Sequence, residues 1–249
     1  MPPTATNTKR GKASPDAMTL VEHLAELRRR VTICAVMFVV AGTFAFVVYN
    51  PILDFLKHPY CEVAAQHCEF FVTGPLDGLA IRVKIAAYGG LFLTFPVLLW
   101  EFWRFITPGL RPTEKKYIVP FVSASIVLFG FGCLVAYVIF PHALRWLGDI
   151  GGPSLREIYS PENYLSLVLL MMVVFGITFE FPVVVVSLEI AGIITPRQLS
   201  SWRRWAIVII VVVAGVVTPS SDPFSMLAMA VPLYVFYELS IIVGRVLRR

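Results

Sequence analysis

The sequence predicts an all-α membrane protein with six transmembrane helices. Hydrophobic residues make up 57% of the 249 positions and charged residues only 15%, which leaves too little polar surface to cover a water-soluble globule of this size. Long apolar stretches recur along the chain, and lysines and arginines cluster between them. The formal charge of +5 is therefore explained by membrane topology, and binding to nucleic acid is not predicted.

The chain opens with a polar tail over residues 1–18, which we expect to be disordered and cytoplasmic. The stretch that follows, Thr19–Val31, has leucines at helical spacing and charges on its other faces, so it predicts an amphipathic helix along the membrane surface. Its initial threonine precedes a glutamate by three residues, which is the spacing of a capping box. Glu26 lies four residues before Arg30, a favourable helical ion pair.

Residues 19–249 are predicted to form one membrane domain with six spans. A helix rises 1.5 Å per residue, so about 20 apolar residues cross a hydrocarbon core of about 30 Å. The predicted spans are about 31–49, 79–103, 117–140, 161–188, 205–217 and 224–243. Residues 50–77 are predicted to be an extramembrane loop, and Ser160, Thr195 and Asp222 are predicted N-caps of the helices that follow them.

The distribution of lysine and arginine predicts the orientation. Sixteen of them fall on the side of the N-terminus and five on the opposite side. By the positive-inside rule both termini are expected in the cytoplasm, which an even number of spans also requires.

The fifth predicted span is short. Its uninterrupted apolar run is only Ala206–Val217, which reaches about 18 Å of the roughly 30 Å needed. Two interpretations remain open: the flanking Trp202 and Trp205 extend the helix, or the bilayer thins there.

The cysteines agree with this topology. Cys34 and Cys133 lie inside predicted spans, where a thiol is usually a small apolar side chain. Cys61 and Cys68 share the first outer loop, where an oxidising compartment would permit a disulfide between them. The histidines near this pair do not match a zinc motif, so no metal site is predicted.

Acidic residues near or within the apolar stretches are the candidates for function. Glu180 lies inside the fourth span, where it either bonds to a neighbouring helix or contacts a ligand, and Pro182 is expected to bend the helix beside it. Glu26 and Glu114 lie among cationic residues on the predicted cytoplasmic side. They either pair locally or form a docking site for a cationic segment, because carboxylates accept bidentate hydrogen bonds from guanidinium groups.

Two other functional classes are not favoured. A secondary transporter would need several intramembrane polar residues or paired broken helices, and only Glu180 lies clearly at depth. An intramembrane hydrolase would need a nucleophile with its base or a metal motif, and neither occurs. A Gly-Lys-Ser/Thr phosphate loop is also missing, so the sequence predicts no enzyme, no cofactor and no nucleotide hydrolysis by this chain.

Several motifs together resemble the TatC family, the multi-spanning receptor subunit of the twin-arginine protein translocase. They are His23-Leu-x-Glu26-Leu-Arg28-x-Arg30, Phe95-Pro96 with Trp103-x-Phe105-x-x-Pro108-x-Leu110 and Glu114, Phe175-Gly176-x-x-Phe179-Glu180-x-Pro182, and Thr218-Pro219 with Asp222. The resemblance implies a curved, concave receptor in a bacterial-type cytoplasmic (inner) membrane that binds twin-arginine signal peptides of folded precursors. It also implies assembly into homo- and hetero-oligomers with small single-span subunits of the TatA and TatB type, contact with membrane lipid, and transport driven by the proton-motive force.

The resemblance also assigns roles to residues of this chain. The implied signal-peptide site consists of Glu26, Arg28, Phe105 and Glu114. Glu180 matches a polar position inside the concave face, and the implied functional positions on the outer side are Pro59, Tyr137 and Asp222. The two loop cysteines and the long N-terminal tail depart from what we expect of the family, and neither touches the matched positions.

Overall fold

The computed structural model describes residues 20–64, 70, 74–106, 118–151, 160–219 and 222–247. Within these ranges the chain is all-α, with nine helices and no strand. The helices are α1 (Leu20–Val47), α2 (Tyr49–Ala64), α3 (Asp77–Ile106), α4 (Ile118–Gly151), α5 (Pro161–Thr178), α6 (Phe181–Ile190), α7 (Pro196–Ser201), α8 (Arg203–Val217) and α9 (Pro223–Leu247).

The first and third predicted spans belong to longer helices than the sequence suggested. The amphipathic stretch and the first span form the single 28-residue helix α1, and no break separates a surface segment from a span. Helix α4 runs 34 residues and continues through Pro141. Burial of Ala143 and Leu144, which are 1% and 2% exposed, offsets the backbone hydrogen bond that this proline cannot make.

The segment expected to be an outer loop contains a helix. Helix α2 covers 16 residues of it and holds Pro59 in its interior. One face of α2 is buried, since Leu56 and Tyr60 are 2% and 8% exposed and belong to the main core. Packing therefore decides the conformation here against the helix-breaking tendency of proline.

Five of the described helical segments are long and apolar enough to cross a membrane. They are His23–Val47, Asp77–Phe105, Ile118–Ile150, Pro161–Ile190 and Pro223–Val246. Helix α8 is apolar as well but has only 15 residues, which corresponds to about 22 Å. The short fifth span predicted from the sequence therefore coincides with a short helix.

Close backbone contacts fix how the helices pack. Helix α1 lies along α3, α4 lies along α5, and α9 contacts α6 and α8. A Cβ atom at Gly90 would come 2.9 Å from the Cα of Gly42, and one at Gly132 would come 2.6 Å from the carbonyl oxygen of Phe175. Only glycine permits these approaches, so the α1–α3 and α4–α5 pairs are closer than larger residues would allow.

Two Phe-Pro pairs have different effects on their helices. Pro96 lies inside the unbroken helix α3. Pro182 follows the interruption at Phe179 and Glu180 that separates α5 from α6. The backbone carbonyl of Glu180 accepts hydrogen bonds from Val183 and Val184, at 3.0 and 3.1 Å, so the chain continues directly into α6.

Of the three predicted N-caps, two make a side-chain capping hydrogen bond and one does not. The hydroxyl of Thr195 accepts a hydrogen bond from the Gln198 backbone in a complete capping box. Asp222 caps α9, because its carboxylate accepts a bond from the Ser225 amide at 2.7 Å. Ser160 precedes α5 as predicted, but its side chain makes no capping hydrogen bond.

Candidate functional site

A cluster of three charged side chains joins α1 to α3 near one end of both helices. Arg30 of α1 donates one hydrogen bond to Glu26 on its own helix and another, at 2.9 Å, to Glu101 of α3. The side chains of Arg30, Glu26 and Glu101 are only 13%, 21% and 10% exposed. We call these three residues the Arg30 cluster.

The Arg30 cluster has bonding capacity left over. Each carboxylate gives one oxygen to Arg30, and Glu26 Oε2 and Arg30 Nε are buried with no hydrogen-bond partner among the described residues. A small polar recess of about 160 Å³ lies against the cluster and is also lined by Arg29 and Arg104. A buried carboxylate oxygen without a donor is costly, and a guanidinium or ammonium group would satisfy it.

An aromatic pair lies beside the cluster. The rings of His23 and Phe105 stack with centroids 4.5 Å apart and an angle of 24° between their planes. His23 lies one helical turn before Glu26, so Phe105 and Glu26 share one part of the α1–α3 surface. The structure therefore brings two of the four predicted signal-peptide residues together.

Of the other two residues of the predicted site, the structure describes only one. Arg28 is on α1 with an exposed side chain, and its backbone carbonyl accepts a hydrogen bond from Thr32 at 2.8 Å. Glu114 lies outside the described residues.

Sequence reasoning missed Glu101. It lies among the aromatic residues at the end of the second predicted span, and its partner Arg30 is 71 residues away in the sequence. A usable signal was present, because a carboxylate at the end of an apolar helix needs a cation at the same membrane depth, and Arg30 lies at the corresponding end of the preceding span.

The intramembrane candidate Glu180 lies at the interruption between α5 and α6. Its side chain is half-buried, next to Ser125 of α4, and its Oε1 atom has no hydrogen-bond partner within the described part of the chain. Ser125 is itself only 1% exposed. Pro182, two residues after Glu180, lines an apolar groove of about 270 Å³. Phe121, Leu128 and Phe236 line it as well.

Two of the three predicted outer positions meet in one pocket. Pro59 and Tyr137 line a space of about 490 Å³ at the contact of α2 with α4. The Tyr137 hydroxyl donates to the carbonyl of Phe55 at 2.8 Å, and the two rings stack with centroids 4.4 Å apart. These contacts anchor α2 against α4.

The third predicted outer position, Asp222, lies at the end of α9 that approaches this pocket. It is fully buried and caps α9 as described above. The next turn presents Phe224, whose ring lies 6.3 Å from that of His142, and His142 lines the outer pocket. Asp222 thus fixes the end of α9 that approaches the pocket.

The cysteines divide as their positions suggested. Cys34 and Cys133 are free thiols, and Cys61 is disulfide-bonded. Its predicted partner Cys68 lies outside the described residues, so the pairing stays a prediction. The described residues contain no group of three or more His, Cys, Asp or Glu side chains that could hold a metal ion.

Comparison with known proteins identifies the family. The family model for Sec-independent protein translocase protein (TatC) matches residues 22–232. The protein of that name from Frankia casuarinae is 40% identical over 250 residues, which cover 96% of this chain and 69% of the relative. The one from Aquifex aeolicus is 38% identical over 235 residues, covering 93% of this chain and 97% of the relative.

A solved structure agrees with these relatives in fold. The crystal structure of the twin arginine translocase receptor TatC matches with a TM-score of 0.74 and 37% sequence identity, covering 92% of this chain and 100% of that chain. The chain belongs to the TatC family, the multi-pass membrane component of the twin-arginine translocase.

Proposed function

We propose that this protein is the receptor that binds twin-arginine signal peptides of folded precursor proteins at its cytoplasmic face. The observation that carries the proposal is the unused oxygen of Glu26 in the Arg30 cluster. An arginine keeps its charge at any physiological pH and presents its donors in a fixed fork, which suits a fixed carboxylate with a spare acceptor. Arg30 already occupies one oxygen of each carboxylate, so an incoming arginine would bind the oxygen of Glu26 that Arg30 leaves free.

Glu114 supplies the second carboxylate in this proposal. Two adjacent arginines in a signal peptide need two acceptors, and Glu26 offers one oxygen beyond those already bonded. Arg28 and Phe105 would border the same site, with the His23–Phe105 stack as a flat apolar surface for the residues after the arginines.

The apolar part of the signal peptide would bind within the membrane. The groove beside Pro182 is lined mainly by apolar side chains of α4, α6 and α9, and Glu180 lies two residues before Pro182 in the sequence. An apolar helix docked in such a groove is a common recognition mode, and Glu180 would provide a polar contact to it. Glu180 is thus the proposed intramembrane polar site.

Assembly and orientation complete the proposal. Both termini are cytoplasmic in a bacterial-type inner membrane, as the lysine and arginine distribution favours. The receptor assembles with further copies and with small single-span subunits of the TatA and TatB type, and the proton-motive force drives transport. On the outer side, where cargo would leave, Pro59 and Tyr137 lie at the contact of α2 with α4, and Asp222 caps the start of α9.

The test is binding of a twin-arginine signal peptide to the detergent-solubilised protein. We expect Glu26→Ala and Glu114→Ala each to weaken binding, and the double variant to weaken it about tenfold or more, because each removes an acceptor for a guanidinium. A Lys-Lys peptide should bind the wild type about as weakly as the twin-arginine peptide binds the double variant, since an ammonium group is more strongly hydrated than a guanidinium and lacks its rigid fork of donors.

The matched control is Asp149→Ala, which removes an exposed carboxylate from the far end of α4. It should leave peptide affinity unchanged within about twofold, and all variants should keep the wild-type unfolding temperature within a few degrees. Equal binding of both peptides to wild type and double variant would show that these acids are ordinary surface charges, and the proposal would fail.

A further inference from the structure

An apolar cleft lies between α6, α7, α8 and α9, away from the Arg30 cluster. Its volume is about 410 Å³, within the usual range for ligand pockets. Among the side chains that line it are Phe181, Leu188, Leu199, Trp205, Ile209 and Tyr237. We call this space the tryptophan cleft.

The wall of the tryptophan cleft offers an occupant almost nothing polar. The only side-chain hydroxyl among its lining residues belongs to Tyr237, and this group already donates to the carbonyl of Leu199 at 2.6 Å. A polar ligand would lose its hydration without compensation in such a space. The wall therefore selects an apolar occupant.

The mouth of the cleft has the character of a membrane interface. Trp202 and Trp205 are 52% and 69% exposed, and tryptophan concentrates at the level of the lipid headgroups. Helix α8 begins at this point and is only 15 residues long, so a bilayer that meets its ends must be thin. A cleft at this depth is open to lipid chains from the side.

Exposed arginines lie close in sequence to the two tryptophans at this mouth. Arg203 is bound by Glu238 of α9 at 2.8 Å. Arg197 and Arg204 are exposed, and none of the ion pairs within the described ranges involves them. Arg204 lies between the two tryptophans in the sequence, and Arg197 lies on the short helix α7 just before them. An anionic group above the cleft would be attracted by both arginines.

We propose that the tryptophan cleft binds an anionic phospholipid, with an acyl chain between α6 and α8 and the phosphate at Arg204 and Arg197. Charge favours a lipid over an apolar partner helix, because a phosphate group would bind the exposed arginines Arg197 and Arg204 and an apolar helix would not. The site is separate from signal-peptide recognition and does not depend on it.

The test uses the full chain, delipidated in detergent, with phosphatidylglycerol and phosphatidylcholine of identical acyl chains and native mass spectrometry as the readout. We expect the wild type to bind phosphatidylglycerol about tenfold more tightly than phosphatidylcholine. The double variant Arg197→Gln and Arg204→Gln should lose that preference and keep phosphatidylcholine binding. Ala206→Phe, which fills the cleft, should lose both lipids.

Each variant has a matched control. Arg145→Gln removes an exposed arginine from α4, and Ala124→Phe adds the same bulk at the groove beside Pro182. Both controls should bind phosphatidylglycerol as the wild type does. The two-arginine variant changes only exposed side chains, so it tests the proposal even if Ala206→Phe does not fold.

Three results would overturn the proposal. The first is equal affinity of the wild type for the two lipids. The second is full retention of phosphatidylglycerol by the two-arginine variant, or an equal loss in Arg145→Gln. The third is unchanged lipid binding by Ala206→Phe together with binding of a single-span apolar peptide in the cleft. That result would assign the cleft to a partner helix.

Discussion

Helix α3 carries a charged cluster near each of its ends, and the two clusters differ in their unused bonding capacity. At one end Glu101 binds Arg30 of α1. At the other end Lys84 binds Glu162 of α5, and we call Lys84, Glu162 and Ser166 the Lys84 cluster. Glu101 and Lys84 are 17 residues apart, or about 25 Å along the helix, so most of a hydrocarbon core separates them.

In the Lys84 cluster the lysine uses all of its hydrogen-bond donors, and we call the cluster saturated for that reason. Lys84 has three N–H donors, and it contacts the Glu162 carboxylate at 3.1 Å, the Glu162 carbonyl at 3.4 Å and the Ser166 hydroxyl. The Arg30 cluster instead leaves Arg30 Nε and Glu26 Oε2 without partners in the described part of the chain. Saturated charges hold helices together, whereas unsatisfied buried groups are what a ligand can complete. Both clusters join helices, and only the Arg30 cluster also leaves buried polar atoms that a ligand can bind.

The largest expected effect is on protein stability, which should fall by different amounts when Arg30 and Lys84 are each replaced by methionine. Arg30→Met leaves the carboxylates of Glu26 and Glu101 facing each other without the cation that joins them, and this should lower the free energy of unfolding more than Lys84→Met does. Lys84→Met should cost only about 1 kcal/mol, because the Glu162 side chain is 43% exposed and regains water. Thermal unfolding of both variants in the same detergent measures the difference. Equal losses in the two variants would mean that Glu26 and Glu101 regain water as readily as Glu162 does, and the expected difference would be wrong.

A smaller effect is expected in ligand binding. Glu101→Gln should weaken twin-arginine peptide binding about tenfold, or about 1.4 kcal/mol, because Glu101 holds Arg30 and thereby positions Glu26. Glu162→Gln makes the same chemical change in the Lys84 cluster and should leave peptide affinity unchanged within about twofold. Titration of each variant with labelled peptide gives both values, and a parallel loss in the two would remove the distinction between binding and holding.

Local sequence signals predicted the fold well. Apolar stretches gave the spans because each span can be recognised within its own residues. The capping box at Thr195 and the cap at Asp222 were also predictable, since a capping side chain bonds to an amide three residues away. Long-range packing accounts for the differences. Helix α2 and the end of α4 each contain a proline that suggests a loop, and both are stabilised by burial against other helices.

The candidate site was only partly predictable for the same reason. Glu26 was a candidate from its place among cationic residues, Phe105 was found through family resemblance, and the structure puts them on one surface. Glu101 was missed because its role depends on Arg30, which is distant in the sequence and close only after α1 packs along α3. The two Phe-Pro pairs make the same point: Pro96 leaves α3 continuous and Pro182 follows a break, although their immediate sequence context is alike.

The smallest expected effect tests whether the Lys84 cluster is saturated. The Ser166 hydroxyl accepts from Lys84 and donates to the Glu162 carbonyl at 2.6 Å, so Ser166→Ala should lower the free energy of unfolding by about 1 kcal/mol. Ser123→Ala is the control, because that hydroxyl is exposed and bonds only to Val119 of its own helix. It should cost less than about 0.5 kcal/mol. The double variant with Lys84→Met should cost less than the sum of the single changes, since one shared contact is lost in both. Additive losses would mean that Ser166 and Lys84 act independently, and the saturation of this cluster would then not explain why it holds α3 to α5.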